Sequence, residues 1–415
     1  MEERHEIPER GRGWGELKEE MAAMRGDDLD WRSGRHGAYV WYANDDLEHV
    51  LQEAFGMYLV ENGLGVRVFH SIGGMEREVL AMVRSLLSAP DGAASIFTSG
   101  GTESIFQAIY AAREWARATK PQITEPEFVA PHSAHPALNK AAYLLGLNVQ
   151  RVPVGDGYGA DVETIRAAIT PNTIGIYASA PSYSLGIVDN IPALGGIAAE
   201  TDLWLHVDAC VGGVLGYFVR RSGREVPIYD FAAEGVASIS ADLHKSGFAA
   251  KPASTVHFRT HELRQYAAFA FDDWPHGMYG SLTFTGTRPG GAIAAAWAAL
   301  NYLGKDGYQG LADTSMRTRD RMIEGLTAIP GVEVFGNPPL YGFAYGVEGM
   351  DMRKVSALMT ARDWHCPNTV QPPGIHFMAT PVHEGAVNAY LADVRECIEE
   401  VRAGSGVAAA EARYN

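Results

Sequence analysis

Apolar residues recur at helical spacing in the first quarter of the chain. Intervals of three and four across residues 45–60, and again from Met75 to Leu86, predict two amphipathic helices, the second ending near Pro90. Residues 1–40 are polar and rich in glycine, which predicts an arm with one short helix at Trp14–Met24.

Beyond residue 90, short β-rich runs alternate with helical ones. The runs that predict strands are Ala94–Thr98, Phe128–Ala130, Val149–Val154, Ile174–Ala180, Leu203–Asp208, Val236–Ser240 and Thr255–Phe258. The helical runs among them are Thr102–Ala118, Pro136–Leu145, Val162–Ile169 and Pro192–Glu200. This alternation predicts an α/β fold with one mostly parallel, seven-stranded sheet and helices on both faces.

The pattern changes after the glycine- and proline-rich segment Gly286–Gly291. Two helices are predicted first, and a smaller α+β unit follows them. Its elements are strands at Val332–Phe335, Tyr341–Tyr345 and Ile375–Ala379 and helices at Arg353–Arg362 and Glu384–Ala403. We therefore expect an N-terminal arm and helix (1–70), a large domain (71–300) and a small C-terminal α+β domain (301–415).

Composition narrows the class of protein. Hydrophobic residues make up 47% of the 415 positions, which is enough for a large core. The net charge of −16 argues against nucleic-acid binding, which depends on cations that neutralise phosphates. The three cysteines are widely spaced and fit neither a disulfide framework nor a metal site. With no secretory signal and no apolar run long enough to span a bilayer, we expect a cytoplasmic protein without a transmembrane segment.

A glycine turn between a strand and a helix is the first candidate for chemistry. The sequence TSGGTES at 98–104 follows an apolar strand and opens a long helix. Gly100, Gly101 and Thr102 would let a ligand approach the helix N-terminus, whose free N–H groups favour an anion such as phosphate. Neither a P-loop nor a GxGxxG fingerprint is present. An ordinary helix cap is the equal alternative when this motif stands alone.

Two further residues follow later strands. Asp208 ends the strand LHVD, where open α/β sheets place their ligands, although a helix cap or a salt bridge would explain it equally. Lys245 follows another strand in SADLHKSG, and a lysine in a partly desolvated cleft can form a Schiff base. A solvated surface lysine is the alternative there. His135, at the end of a strand and loop, could stack on an aromatic ring.

The combination is more informative than its parts. An anion site, a strand-end carboxylate and a lysine are what pyridoxal phosphate requires: a phosphate cradle, a partner for the ring nitrogen and an amine for the aldehyde. The sequence resembles the group II decarboxylase family of fold-type-I (aspartate aminotransferase-like) pyridoxal phosphate enzymes. Within that family it resembles the sphingosine-1-phosphate lyase branch. The resemblance covers about residues 35–385. It rests on TSGGTES (98–104), APHSAHPALNKAA (130–142), LHVDACVGG (205–213), SISADLHKSGFAAKPAS (238–254), MYGSLTFTGTRPGG (278–291), FGNPPL (335–340) and IHF (375–377).

The resemblance implies roles at matching positions. Lys245 would bind the cofactor covalently, Asp208 would pair with its ring nitrogen and His135 would stack on the ring. Gly100, Gly101, Thr102 and His244 would help to seat the cofactor or its phosphate. Lys251 would bind the phosphate of the substrate, and Tyr279 would lie near the site and reach a partner subunit.

The sequence also departs from the lyase pattern. Gly65 stands where the lyases carry a histidine in a Leu-His-Pro-Asp stretch, and His70 stands nearby at the position of a proline. Either His70 takes over the role of that histidine, or the polar end of the substrate differs. Arg288, in the GxRPGG turn, is a further candidate for substrate binding, with a structural role in the turn as its alternative.

These expectations lead to one preferred function and two alternatives. The preferred one is a cytoplasmic homodimer with shared active sites, which uses pyridoxal phosphate to cleave a phosphorylated amino alcohol of the long-chain-base type by retro-aldol chemistry. The products would be an aldehyde and phosphoethanolamine, a step of sphingolipid metabolism. An L-amino-acid α-decarboxylase is the rival enzyme. A catalytically silent binding protein is the alternative from another class, and intact Lys245, Asp208 and His135 argue against it.

Overall fold

The N-terminal part consists of helices that lead onto the large domain. In the computed structural model, which describes residues 6–412, helix α1 spans Trp14–Met24, as predicted. Two 3-10 turns at Arg25–Asp27 and Trp31–Ser33 follow, and then helix α2 at Asp45–Met57. The side chain of Asn44 caps α2 by accepting a hydrogen bond from the Leu47 amide at 2.8 Å. Helix α3 begins at His70, five residues before the predicted start, and ends at Leu86.

The large domain is built on the predicted seven-stranded sheet. Its strands are β1 Ala94–Thr98, β2 Glu127–Pro131, β3 Asn148–Val152, β4 Thr173–Ser179, β5 Trp204–Asp208, β6 Val236–Ala241 and β7 Ser254–Phe258. They lie in the order β1-β7-β6-β5-β4-β2-β3. Only β7 is antiparallel to its neighbours, so the expectation of a mostly parallel sheet is confirmed.

Helices connect these strands, and most of them match the prediction. They are α4 Gly101–Thr119, α5 Ala137–Leu145, α6 Val162–Ala167, α7 Ile191–Thr201, α8 Leu215–Arg221 and α9 His261–Gln265. The last two were not predicted, because segments of seven and five residues are too short to show a clear helical period.

A hairpin that was not predicted projects from the large domain. Its strands are β8 Phe269–Phe271 and β9 Tyr279–Ser281. Large apolar side chains on and beside it are exposed, namely Phe269, Phe271, Trp274, Met278, Tyr279 and Phe284. So many exposed aromatic residues in one segment are typical of a surface that another molecule covers.

A single long helix joins the two domains. Helix α10 runs from Gly290 to Thr327, where the sequence predicted two helices, and it bends at Gly304, whose φ is 55°. The domain boundary predicted at residue 300 falls just before this bend. Helix α10 packs against α2, α3 and α8, so it is part of the core of the large domain before it enters the small one.

The C-terminal unit is the predicted small α+β domain. Its antiparallel sheet has the order β10-β11-β13-β12. The strands are β10 Val332–Val334, β11 Gly342–Val347, β12 Asn368–Val370 and β13 Pro373–Met378. Helices α11 (Met352–Thr360) and α12 (Val387–Arg402) and a 3-10 turn at Pro381–His383 complete it, and it has a buried apolar cluster of its own. Across residues 6–412, none of the helices combines the length and the apolar character that crossing a bilayer requires.

Candidate active site

The predicted site residues meet at one edge of the large sheet. Strands β1, β2, β4, β5 and β6 run in the same direction, so their carboxyl ends lie side by side. The residues that end or follow these strands surround a cavity of about 360 Å³. Its lining includes Gly100, Gly101, Thr102, His135, Asp208, His244 and Lys245. The structure thus brings together seven residues that the sequence predicted for one site.

The glycine turn forms one wall of the cavity. Gly101 is the first residue of the 19-residue helix α4, so the N–H groups of that helix's first turn point toward the cavity. A Cβ atom at Gly101 would lie 2.8 Å from the Cys210 sulfur, whereas one at Gly100 would meet only the His244 ring, at 3.5 Å. Gly101 is therefore required for close packing, and the turn leaves room for an anion.

Glu103 links this turn to neighbouring segments through hydrogen bonds to its carboxylate. One of its carboxylate oxygens accepts a hydrogen bond from the Ser99 amide at 2.7 Å, and the other accepts from the Phe284 amide at 3.0 Å. The second contact ties the wall of the cavity to the segment that follows the exposed hairpin. The conformation of the turn thus depends on residues far away in the sequence.

Asp208 is held as a buried anion at the end of β5. Its carboxylate accepts hydrogen bonds from the Tyr177 hydroxyl at 2.6 Å and from the Cys210 amide at 3.0 Å. Burial alone would raise the pKa of Asp208, but His135, these two hydrogen bonds and Lys245 outweigh it, so the pKa lies below its usual value. Asp208 is therefore suited to bind a cationic group such as a protonated ring nitrogen.

Lys245 lines the cavity from the turn after β6. Its Nζ forms an ion pair with Asp242 at 2.9 Å. Burial would lower the pKa of Lys245, but the carboxylates of Asp242 and Asp208 dominate and raise it. The lysine is thus fixed in the cavity as an ammonium group.

Two histidines line the cavity, and each ring accepts a hydrogen bond from a backbone amide. The Nδ1 atom of His135 accepts a hydrogen bond from the Ala137 amide at 3.1 Å, and His244 accepts one from the Ala253 amide at the same distance. Burial lowers the pKa of both imidazoles. A ring with a fixed orientation is suited to stacking on an aromatic cofactor.

Lys251 lies beside the cavity, in a neighbouring pocket of about 350 Å³. Aromatic residues of the N-terminal arm, Trp41 among them, line the same pocket. The Lys251 side chain is exposed, yet partial desolvation by the residues around it and the charge of Lys245 lower its pKa. The charge of Lys251 also acts on His244, which places it within electrostatic range of the cavity.

Within one chain, the structure does not bring the other three predicted residues to the cavity. His70 is exposed at the start of α3, and Tyr279 lies on the exposed hairpin, packed against Trp274 at a ring distance of 6.3 Å. Arg288 forms two contacts with Glu76, at 2.5 and 3.1 Å, and donates to the Gly63 carbonyl at 2.8 Å. These contacts occupy its guanidinium and hold the 288 turn against α3, which corresponds to the structural alternative named for this residue.

Sequence reasoning missed three residues that line or support the cavity. Tyr177 lies in the middle of β4 and binds Asp208. Tyr183 follows β4 and lies between the rings of His135, at 6.2 Å, and His376, at 4.6 Å. Asp242 lies within the SADLHK motif itself, three residues before the lysine. The motif was a visible signal for Asp242, whereas nothing local distinguishes the two tyrosines.

Comparison with known proteins agrees with this geometry. The profile of the pyridoxal-dependent decarboxylase conserved domain matches residues 35–337. The chain belongs to this family. Its cofactor is accordingly pyridoxal phosphate.

The relatives of this family member include lyases and a decarboxylase. It is 36% identical to the sphingosine-1-phosphate lyase of Arabidopsis thaliana, over 96% of this chain and 74% of that protein. The solved structure of a Burkholderia pseudomallei sphingosine-1-phosphate lyase is also 36% identical and superposes with a TM-score of 0.92, covering 97% of this chain and 94% of that one. An L-aspartate decarboxylase of Thermococcus kodakarensis is 33% identical over 86% of this chain and 90% of that protein.

The residues of the cavity fit the cofactor on chemical grounds. The N-terminus of α4 offers N–H donors for a phosphate, and the packing at Gly101 shows that this one position tolerates no side chain. The carboxylate of Asp208 is kept ionised by its hydrogen bonds, as a partner for a protonated ring nitrogen must be. Lys245 supplies an amine in the same cavity.

Proposed function

We propose that this protein cleaves the carbon–carbon bond of a phosphorylated amino alcohol, of the long-chain-base phosphate type, into an aldehyde and phosphoethanolamine. The observation that carries the proposal is the match over nearly the whole of both chains to a sphingosine-1-phosphate lyase structure. The position of Lys251 beside the cavity supports a phosphate on the substrate, because an ammonium group is well suited to bind a phosphate monoester.

In this proposal, separate residues bind the different parts of the cofactor. Lys245 binds the cofactor, Asp208 keeps the ring nitrogen protonated, and His135 stacks on the ring. Gly100, Gly101, Thr102 and His244 seat the phosphate of the cofactor. When bound, pyridoxal phosphate supplies the electron sink that takes up the electron pair of the broken bond.

The substrate must be oriented and must lose a proton. Retro-aldol cleavage requires the β-hydroxyl proton to leave as the Cα–Cβ bond breaks. Lys251 would hold the phosphate at one end of the substrate and so fix which bond faces the sink. Gly65 stands where the related lyases carry a histidine, and its amide donates to the Asn62 side chain at 2.9 Å. Lys251 would therefore carry a larger share of phosphate recognition, with His70 contributing only if another subunit approaches it.

Amino-acid α-decarboxylation is the second candidate, and the similarity to an L-aspartate decarboxylase favours it. Both reactions use the same electron sink and differ in which bond the pocket orients. A binding protein without activity is disfavoured, because Lys245, Asp208 and His135 all line one cavity.

Product analysis by mass spectrometry separates these candidates. The purified protein would be incubated with sphingosine-1-phosphate, with its unphosphorylated analogue and with a panel of amino acids. We expect a long-chain aldehyde and phosphoethanolamine from the first substrate only, and neither product with Lys245→Ala. Carbon dioxide release from an amino acid, without aldehyde formation, would replace the lyase proposal by the decarboxylase, and no product at all would favour the binding protein.

The active form proposed here is a cytoplasmic homodimer with shared sites. The exposed aromatic hairpin, which carries Tyr279, supports a partner surface. The three cysteines are buried free thiols, which fits a reducing compartment.

A further inference from the structure

Asp242 is a buried carboxylate at the active site for which the proposed function gives no role. It directly follows β6, and only 1% of its surface is exposed. One of its oxygens lies 2.9 Å from Lys245 Nζ and 3.7 Å from His244 Nε2. It therefore faces the amine that is predicted to bind the cofactor.

The carboxylate is tightly enclosed from the other side. A Cβ atom at Gly101 would lie 2.9 and 3.1 Å from the two Asp242 oxygens, so the carboxylate packs directly against the first residue of α4. The N-terminus of a helix favours negative charge there. Within the described chain, neither oxygen has a hydrogen-bond partner apart from the ion pair with Lys245. A buried anion with one cationic partner binds that partner strongly, since losing it would leave an unpaired charge.

Other charged and titratable groups also surround Lys245. They are Asp208, Cys210, His135, His244, Lys251 and Tyr341. Asp242 is in direct contact with the amine, and of the groups around Lys245 it has the largest effect in raising its pKa. Only the neutral amine is nucleophilic. A partner that stabilises the ammonium therefore raises the pH at which the neutral amine forms.

We propose that Asp242 is a positioning residue that holds Lys245 in the cavity as an ammonium ion and sets the pH above which its amine becomes reactive. This inference builds on the proposed role of Lys245 but concerns the chain before the cofactor binds. The ion pair keeps a long, flexible side chain aimed at the cavity, and the proton on Nζ is released to solvent before the amine can attack a carbonyl carbon.

Competitive labelling of the full chain without cofactor tests this proposal. A trace of acetic anhydride reacts with neutral amines only, and acetylation at Lys245 would be followed by mass spectrometry from about pH 6 to about pH 11. The extent of Lys245 acetylation plotted against pH gives a labelling curve for this residue. We expect Asp242→Asn, which keeps the shape of the side chain and removes its charge, to move this Lys245 curve to lower pH. At about pH 8 this would give at least about tenfold more label than in the wild type.

Two comparisons make the result decisive. Asp230→Asn removes a different buried carboxylate, which pairs with Arg220 at 3.0 Å outside the cavity, and should leave the Lys245 curve unchanged. Within the wild type, Lys251 should be labelled at lower pH than Lys245, a comparison that does not depend on the folding of any variant. A Lys245 curve that lies below that of Lys251, or one that Asp242→Asn leaves in place, would overturn the proposal.

The experiment needs neither cofactor nor substrate. A protein that proved to be a decarboxylase, or to have no activity, could still show the predicted shift. Conversely, a lyase whose Lys245 curve did not move would leave the proposed function intact and remove only the role of Asp242. The proposed function and the role of Asp242 can therefore be refuted independently of each other.

Discussion

At the scale of single residues, the negative charge of Asp208 is the feature on which the chemistry depends most. Asp208→Asn keeps the size of the side chain but removes the charge that would stabilise a protonated ring nitrogen. We expect kcat to fall by about 100-fold or more, equivalent to about 3 kcal/mol in the barrier. Tyr177→Phe removes one of the hydrogen bonds to Asp208 and should cost about tenfold or less, since a single bond contributes about 1 kcal/mol. Steady-state rates near the wild-type value in folded Asp208→Asn would show that the residue is only structural.

Lys251 allows a second test at the residue scale. If it binds a substrate phosphate, Lys251→Ala should raise KM by about 10- to 100-fold, the value of a charged hydrogen bond of about 1.5–3 kcal/mol. The unphosphorylated analogue should be a poor substrate for the wild type and no worse a substrate for the variant. An amino-acid substrate would leave KM nearly unchanged in the variant, which would contradict a role for Lys251 in phosphate binding.

The lowered pKa of Lys251 adds a pH dependence with a definite sign. A lysine loses its positive charge as pH rises through its pKa, so a lowered pKa moves this loss toward neutral pH. KM for the phosphorylated substrate should therefore rise with pH earlier than an ordinary lysine would allow. Lys251→Arg, whose charge persists, should flatten this rise. Equal pH profiles for the two proteins would show that another group governs binding.

At the scale of elements, the start of α4 offers a matched pair of glycines. Gly101→Ala would place a methyl group within 3 Å of Cys210 and Asp242, so the helix start must shift. Gly100→Ala would make only an ordinary contact of 3.5 Å with His244. We expect the first variant to weaken cofactor binding by about tenfold or more and the second to change it little. Titration of each protein with pyridoxal phosphate, followed by visible absorbance, measures both. Equal affinities would show that the turn does not form the phosphate site.

The elements also show how far sequence reasoning reaches. Strands such as β4 and β5 are buried and β-rich, so their local pattern was sufficient to predict them. Asp208 and Lys245 were found because each follows such a strand. Arg288 was a candidate for substrate binding because its partner Glu76, 212 residues away in the chain, is invisible to a local pattern. Tyr177 and Tyr183 were missed for the same reason, since their roles arise only when strands lie side by side.

At the scale of the whole molecule, we predict a dimer whose sites draw on both chains. Tyr279 and His70 lie away from the cavity of their own chain, and the hairpin exposes aromatic residues that water would not favour. If Tyr279 serves the partner's site, Lys245→Ala and Tyr279→Ala chains should each be nearly inactive alone. Mixed after partial unfolding and refolding, they should recover about a quarter of wild-type activity. This is because half of the dimers are mixed and each mixed dimer has one intact site.

Sedimentation of the wild type should show a dimer, and mixing two Lys245→Ala preparations controls for spontaneous recovery. An active monomer, or mixed chains without recovered activity, would contradict shared sites and return Tyr279 to a role within its own hairpin.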